Sequence, residues 1–400
     1  MRLKEYLKLN KITNKQFSKE LGISPVSLSR YISGERIPEK DIVLKILKQT
    51  DGSVSPNDFY YLKKNEQAND FIETLKLVNY TCKELKSGSK KALAKTITLV
   101  ESKLKKDKAL VQKILENLNV NNNTVRIGVT GVPGVGKSTF IESIGLFLIK
   151  KGLKVAVLAI DPSSKESGGS ILGDKTRMEK LSVNPFAFIR PSPSDGHLGG
   201  VAKKTHESIL CLEAAGYNVI FIETMGVGQA ETAVYDMVDI FLVLLLPSGG
   251  DELQGIKKGI IELADLIVVN KADNDLIKVA EITQREYKNA LQITGKPREN
   301  HLIDVLMCSS LKSKGIQEIW SFIVEFVKKQ KDNKNFYKNR ESQQTKWMWN
   351  SVRNAVNELI TKDITKEKFV LQIQEKVRKK NLSIFKASQL ICDFFIKNKF

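Results

Sequence analysis

The stretch that decides the fold of this 400-residue chain is Gly131-Val132-Pro133-Gly134-Val135-Gly136-Lys137-Ser138-Thr139. It follows the β-branched run Val125–Thr130 and precedes a helical pattern at 140–150, so it joins a predicted strand to a predicted helix. Glycines let backbone N–H groups surround phosphate oxygens, and the start of a helix adds a favourable field for an anion. We predict a nucleotide site in which Lys137 bridges the β- and γ-phosphates and the Ser138 hydroxyl binds magnesium. A glycine-rich turn without a ligand is the alternative.

The region around this loop, residues 121–330, alternates apolar runs with helical patterns. The predicted strands are Val125–Thr130, Lys154–Ile160, Phe186–Arg190, Asn218–Glu223, Ile240–Leu246, Leu266–Asn270 and Leu302–Cys308. Strands that alternate with helices form a largely parallel sheet covered on both faces. The predicted fold class is therefore α/β, a mostly parallel P-loop NTPase sheet, flanked by an all-α helix-turn-helix domain and a helical C-terminal tail.

The base of the nucleotide is predicted from Asn270-Lys271-Ala272-Asp273, which ends a predicted strand. An aspartate carboxylate accepts hydrogen bonds from both N1–H and the exocyclic amine of guanine, whereas adenine offers no such pair of donors. The later stretch Cys308-Ser309-Ser310-Leu311 is predicted to bring Ser309, Ser310 and Leu311 to the same base. We therefore predict GTP, with Mg2+, rather than ATP. The alternative is that the four residues at 270–273 only cap a helix.

Two carboxylates lie at the carboxyl ends of predicted strands: Asp161 directly follows Lys154–Ile160, and Glu223 ends Asn218–Glu223. Carboxylates at the carboxyl ends of parallel strands face the ligand crevice. There they can hold magnesium or position an attacking water. The alternative is that each one only caps the helix that follows it.

Residues 1–60 have the spacing of a helix-turn-helix. Gly22 supplies a tight turn, Ser24 can cap the next helix and Pro25 suits its first position. The second helix of this motif enters the major groove of DNA. The predicted recognition helix carries Val26, Ser27, Ser29 and Arg30. We predict that Arg30 reads guanine and that Lys15 or Asn14 contacts phosphate. A helical adaptor that kept the fold without DNA binding is the alternative.

Composition excludes several classes of protein. No apolar run approaches the ~18 residues that cross a bilayer, and the first residues do not form a signal peptide. The four cysteines lie far apart without paired spacing, which argues against a disulfide scaffold or a zinc knuckle. The excess of basic residues lies in 1–120 and 326–400, on either side of a near-neutral centre. We expect a cytoplasmic protein without a membrane partner.

Residues of about 85–400 resemble the MeaB/ArgK G proteins, a branch of the metallochaperone-related P-loop GTPases. The matching stretches are Gly88–Ser102, Gly128–Phe140, Asp161–Met178, His197–Ala202, Glu223–Glu231, Pro247–Lys257, Glu262–Asp273 and Gln344–Trp349. Residues 1–60 lie outside this resemblance and are similar to the Cro-type helix-turn-helix of phage repressors. The domains expected are this helix-turn-helix (1–60), a helical extension of the GTPase (61–120), the P-loop GTPase domain (121–330) and a helical dimerisation tail (331–400).

The resemblance implies roles for further residues. Lys137 and Ser138 would serve phosphate and magnesium, and the acidic metal and catalytic cluster would be Asp161, Asp174 and Glu223. A mobile loop that responds to nucleotide and client would contain Asp251, Gln254 and Lys257. Ser194-Asp195 replace the Thr-Arg that is common in relatives, and the lost positive charge would weaken switching or hydrolysis.

The resemblance also implies partners. Family members form homodimers through their C-terminal helices and act as chaperones of the adenosylcobalamin-dependent methylmalonyl-CoA mutase, with GTP hydrolysis gating cofactor loading. An older interpretation of the family is a kinase of a lysine/arginine/ornithine transport system. A GTP-regulated DNA-binding transcription regulator is the other alternative. A nickel-insertion GTPase is disfavoured because the few histidines and cysteines form no metal-delivery cluster.

Overall fold

The computed structural model describes residues 3–120, 123–161, 178–193, 198–224, 230–247, 258–294, 303–360 and 367–399. The chain divides into two compact units, Met1–Lys83 and Glu84–Phe400. Asp174, Ser194-Asp195, Asp251, Gln254 and Lys257 lie outside the described residues, as does the side chain of Asp161. No helix in the described part of the chain is long and apolar enough to cross a membrane.

The first unit is built from short helices around its own apolar core. The helices are α1 (Leu3–Leu9), α2 (Asn14–Leu21), α3 (Pro25–Ser33), α4 (Lys40–Gln49) and the start of α5 (Pro56–Lys86). The turn between α2 and α3 has the predicted chemistry, because Gly22 has φ +71° and the Ser24 hydroxyl accepts from the backbone N–H of Ser27 at 3.0 Å. Phe17, Leu21 and Leu28 are buried in the core. The predicted helix-turn-helix is therefore present.

The second unit contains a sheet of seven parallel strands. The strands are β1 (Val125–Gly131), β2 (Val155–Asp161), β3 (Ala187–Pro193), β4 (Val219–Glu223), β5 (Ile240–Leu245), β6 (Leu266–Val269) and β7 (Asp304–Met307), in the order β3-β2-β4-β1-β5-β6-β7. All six residues of β5 are buried, as expected for a strand covered on both faces. The predicted α/β fold is confirmed, and the observed strand ends differ from the predicted ones by at most three residues, the largest difference being at the end of β3.

Helices cover this sheet and continue to the C-terminus. They are α6 (Lys90–Glu101), α7 (Lys105–Glu116), α8 (Lys137–Lys150), α9 (Glu179–Ser182), α10 (Leu198–Ala214), α11 (Ala230–Tyr235), α12 (Lys258–Ile261), α13 (Ile277–Thr294), α14 (Ile316–Asp332), α15 (Asn335–Leu359), α16 (Lys368–Arg378) and α17 (Ile384–Lys399). The apolar core between sheet and helices includes Phe140 and Ile144 of α8 and Ile319 and Ile323 of α14. This packing fixes the start of α8 at the carboxyl end of β1.

A buried network of charges lies at the amino end of the sheet and holds α15 to it. The guanidinium of Arg340 donates to both carboxylate oxygens of Asp239, at 2.8 and 2.7 Å, and to the carbonyl of Thr124 at 2.7 Å. Arg126 forms a bidentate pair with Glu213 at 2.8 and 2.9 Å. Burial acts to lower the pKa of Arg340, but its hydrogen bond with Asp239 and the charges of Asp239 and Glu213 raise it overall. Arg340 therefore stays charged inside the protein, and both arginines are paired with carboxylates there.

Replacing Arg340 with alanine is expected to lower the free energy of unfolding by about 3–5 kcal/mol, because Asp239 would remain buried without its main partner. Lys346→Ala on the same helix is the matched control. Lys346 pairs with Asp236 at 2.8 Å at the surface, so its loss should cost about 0–1 kcal/mol. Urea unfolding of both variants measures the difference. Equal stability of Arg340→Ala and Lys346→Ala would contradict a structural role for the network.

His206 has a structural environment. Its side chain is buried and stacks on the indole of Trp347, with the ring centroids 4.4 Å apart. Burial, with a smaller contribution from the charge of Arg126, lowers the pKa of His206 to about 4. The imidazole is therefore neutral at neutral pH and joins α10 to α15 by packing.

Candidate functional site

The phosphate loop runs from the end of β1 to the start of α8, and close approach requires two of its glycines. A Cβ on Gly131 would lie 2.5 Å from the carbonyl oxygen of Leu244 in β5. A Cβ on Gly136 would lie 2.8 Å from Nδ2 of Asn270. Both residues also have positive φ, +149° and +93°, which disfavours any L side chain. The loop backbone can therefore pack against two neighbouring strands only with glycine at these positions.

Lys137 is the first residue of α8, and its side chain folds back over the loop. Its Nζ donates to the carbonyl oxygens of Gly131 at 2.8 Å and Val132 at 3.2 Å. The residue is only 9% exposed. A buried ammonium held above a glycine-rich loop is a strong site for a phosphate group.

A hydroxyl and a carboxylate meet beside this lysine. The Ser138 hydroxyl donates to Oε1 of Glu223 at 2.9 Å, across from α8 to the end of β4. The Glu223 residue is buried, and it lies opposite Val129 of β1 and Ala159 of β2 in the sheet register. Hydroxyl and carboxylate oxygens are the ligands that magnesium takes from proteins. The pair fits a magnesium ion that is also bound by phosphates.

Asp161 ends β2, the neighbour of β4, so its backbone lies at the same edge of the sheet as Glu223. Within the described ranges no three His, Cys, Asp or Glu residues form a cluster able to hold a metal. The side chain of Asp161 and all of Asp174 lie outside those ranges. Of the predicted acidic cluster, the described structure therefore places Glu223 beside Ser138.

Asn270 connects the phosphate loop to the segment after β7. Its Nδ2 donates to the carbonyl oxygen of Val135 at 2.9 Å. Its Oδ1 accepts from the Ser310 hydroxyl at 2.7 Å, from the Ser310 backbone N–H at 3.2 Å and from the Cys308 thiol at 3.3 Å. Asn270 is 1% exposed. This single side chain ties together the two loops that the sequence assigned to phosphate and base.

Asp273 is held by the same segment after β7. One oxygen of its carboxylate accepts from the Ser309 hydroxyl, and the Ser309 oxygen accepts from the backbone N–H of Lys312 at 3.2 Å. The backbone N–H of Ala272 donates to the carbonyl of Cys308 at 2.9 Å. These contacts orient a carboxylate beside Asn270, at the carboxyl edge of the sheet. Leu311 is 79% exposed.

Sequence reasoning missed two parts of this site, the Cys308 thiol and the carbonyl of Val135 as partners of Asn270. Burial raises the pKa of Cys308 to about 12, and the smaller opposing effect comes from the hydrogen bond with Ser310. The side chain is therefore a neutral thiol that can donate. In the sequence, only the position of Cys308 next to Ser309 indicated that Cys308 belongs to the site. That position does not show whether the thiol points toward Asn270.

The predicted DNA-contacting residues lie on or near α3 in the first unit. Val26, Ser29 and Arg30 are exposed on α3, and Lys15 is exposed on α2. Ser27 differs from them, because its hydroxyl lies 2.9 Å from that of Ser24 and its residue is partly buried. Ser27 thus contributes to the cap of the helix.

Comparisons with known families match both units. A family model described as "Methylmalonyl Co-A mutase-associated GTPase MeaB" matches residues 93–365, and one described as "Helix-turn-helix" matches residues 3–56.

Curated relatives match over most of their own length. A protein named "Putative GTPase" from Caulobacter vibrioides is 52% identical over 275 residues, which cover 68% of this chain and 84% of that protein. "GTPase ArgK" of Escherichia coli is 48% identical, covering 66% of this chain and 81% of that protein. The "Methylmalonic aciduria type A homolog, mitochondrial" of Mus musculus is 43% identical and covers 78% of each chain.

A solved structure is also similar. The crystal structure of an LAO/AO transport system kinase is 36% identical and covers 80% of this chain and 97% of that chain, with a TM-score of 0.64.

Proposed function

The chain belongs to the MeaB family of P-loop GTPases and hydrolyses GTP, and we propose that it does so as a magnesium-dependent chaperone of an adenosylcobalamin-dependent mutase. The observation that best supports GTP as the substrate is the pair of hydrogen bonds made by the Asn270 side chain. It donates to the Val135 carbonyl in the phosphate loop and accepts from the Ser310 hydroxyl, close to Asp273. The mutase is proposed because the matching family is named for its association with methylmalonyl-CoA mutase.

The chemistry at this site is mainly positioning and charge neutralisation, because phosphoryl transfer needs little covalent help from the protein. Lys137 and the backbone N–H groups of the loop hold the β- and γ-phosphates. Glu223 accepts a hydrogen bond from Ser138 and lies where it can also orient an attacking water. Magnesium, when bound at Ser138 and the acidic residues, supplies further neutralisation of the phosphate charge.

The guanine base is proposed to lie against Asp273 and the 309–311 segment. The carboxylate of Asp273, oriented by the Ser309 hydroxyl, accepts the N1–H and exocyclic amine of guanine. Residues 309–311 follow β7, so they lie at the carboxyl edge of the sheet, as Asp273 does. Adenine would leave the carboxylate without these donors, which is costly at a partly buried site.

A homodimer formed through residues 331–400 is part of this proposal. Along α15, Trp349, Val352 and Val356 are exposed by 53%, 45% and 38%. Their spacing of three and four residues places them on one face of the helix. A second copy of the chain would cover this apolar stripe. Light scattering of the full-length protein tests the homodimer, and we expect the mass of two chains.

The test of the proposed function is the rate of GTP and ATP hydrolysis, with and without an apo methylmalonyl-CoA mutase. We expect turnover of GTP, no comparable turnover of ATP, and faster GTP turnover when the mutase is present. Removing magnesium with EDTA should abolish the activity, and adding magnesium should restore it. GTP turnover that does not respond to the mutase would contradict the proposed client but not the GTPase activity.

A second candidate function is GTP-regulated binding of DNA by the first unit. It is favoured by the match of residues 3–56 to a helix-turn-helix model and by the exposure of Arg30 on α3. The test is the affinity of full-length protein for selected DNA in GDP and in a GTP analogue. Binding that is lost in Arg30→Ala would support it. Binding that depends on salt but not on DNA sequence would reflect only the general basic excess.

A further inference from the structure

One exposed face of α3 carries a side chain that the fold of the first unit does not use. Val26 lies in the first turn of this helix and is 62% exposed, whereas Leu28 and Tyr31 on the opposite face are buried in the core. Val26 therefore contributes almost nothing to the core. A single exposed apolar side chain is common on protein surfaces, so a partner is indicated only by the residues around Val26 together with the position of α3.

The exposed face is continuous and follows the helical repeat. Val26, Ser29, Arg30 and Ser33 are all exposed, and their spacing of three, four and seven residues places them in one stripe. The Ser33 hydroxyl donates to the Arg30 carbonyl at 3.2 Å, so it is engaged with the helix itself. The short side chains of Ser29, between Val26 and Arg30, and of Ser33, one turn beyond, let the helix approach a partner closely.

The charged member of the stripe is available for binding. Within the described part of the chain, Arg30 makes no ion pair, whereas Arg36 nearby pairs with Glu39 at 3.1 Å. The α3 helix is the second helix of the helix-turn-helix, the element that enters the major groove in such proteins. Duplex DNA is therefore the partner that this face fits.

The side chains of Val26 and Arg30 match two different features of base edges. Thymine presents its C5-methyl group in the major groove, where apolar side chains make contact, and guanine presents O6 and N7, which an arginine binds in a bidentate manner. Val26 and Arg30 are four residue steps apart, which is about 6 Å along the helix and about two base steps of DNA.

We propose that α3 reads a thymine by contact of Val26 with its methyl group and, about two base pairs away, a guanine by Arg30. This inference rests on the proposed DNA-binding function and names the bases that the surface recognises. A valine facing base edges that lack a methyl group would desolvate polar groups without an apolar gain.

The experiment starts with full-length protein and a pool of random 20-base-pair duplexes, from which bound sequences are selected. In the enriched site each thymine is then replaced by deoxyuridine, which removes only the methyl group, and each guanine by 7-deazaguanine, which removes only N7. For one thymine the replacement should weaken wild-type binding about fourfold, as expected for one buried methyl group. For one guanine the loss should be about tenfold.

Matched variants assign each loss to one side chain. Val26→Ala should bind the thymine and deoxyuridine sites equally, and Arg30→Ala should bind the guanine and 7-deazaguanine sites equally. Leu9→Ala removes another exposed apolar side chain, 71% exposed on α1, and should retain the full wild-type response to both replacements.

The outcomes separate the two proposals. Enrichment of a sequence whose thymines tolerate deoxyuridine, or a response to deoxyuridine that persists in Val26→Ala, would overturn the base readout and leave DNA binding in place. Failure to enrich any sequence would overturn the DNA-binding function itself, and the readout with it. Thermal unfolding of Val26→Ala should match that of the wild type, because the side chain lies outside the core.

Discussion

Replacing Asp273 with asparagine is expected to change the preferred substrate from GTP to XTP and to lower GTP affinity by about a thousandfold. Guanine offers two donors, N1–H and the exocyclic amine, to a carboxylate. Asparagine supplies one acceptor and a donor amide, so it faces the exocyclic amine with a donor. Xanthine has a carbonyl oxygen in place of that amine, and this oxygen can accept from the new amide.

The structure indicates that this variant will fold. The Ser309 hydroxyl donates to a carboxylate oxygen of Asp273, and an asparagine carbonyl can accept the same hydrogen bond. Asp275→Asn is the matched control, because it makes the same change on an exposed residue two positions further along the chain. Competition between GTP and XTP for turnover measures the effect. If Asp273→Asn still prefers guanine, Asp273 does not contact the base.

Replacing Lys137 with alanine is expected to lower both GTP affinity and the rate of hydrolysis, the rate by about a thousandfold. The ammonium is buried and lies within 3.2 Å of two carbonyls of the phosphate loop, so it is held in place before nucleotide binds. Its loss removes the positive charge next to the β- and γ-phosphates. Single-turnover hydrolysis and calorimetric titration with GTP separate the two effects.

Lys150→Ala is the control for this variant, because Lys150 is exposed at the other end of α8 and should leave affinity and rate unchanged. Thermal unfolding of Lys137→Ala checks that the loop and α8 remain folded. Unchanged GTP affinity in a folded Lys137→Ala protein would refute the assignment of the phosphate site.

Much of the fold followed from local patterns. The seven strands were predicted because each buried strand is a short run of apolar, often β-branched residues bounded by turns, as in Ile240–Leu246. The turn of the helix-turn-helix was predicted because Gly22, Ser24 and Pro25 each favour one backbone conformation or cap. The ends of strands were less certain, since β7 begins two residues later than its apolar run, at Asp304.

Within the site, the sequence predicted the residue types but not all of their contacts. Glycines at 131 and 136 were expected to free the backbone for phosphate. The structure adds that Leu244 and Asn270 would clash with any side chain there. The roles of Cys308 and the Val135 carbonyl depend on how loops from distant strands meet, and no local pattern encodes that meeting.

The sequence by itself determined the α/β class, the phosphate loop and the helix-turn-helix, and it located the segments proposed to bind guanine, because each depends on residues close together in the chain. Only the tertiary structure decided which charges pair in the interior. Arg340 lies 101 residues from Asp239 in sequence, yet it binds that carboxylate at 2.7 Å. A buried charge must find a partner wherever the fold brings one, so the partner's identity depends on packing rather than on local sequence.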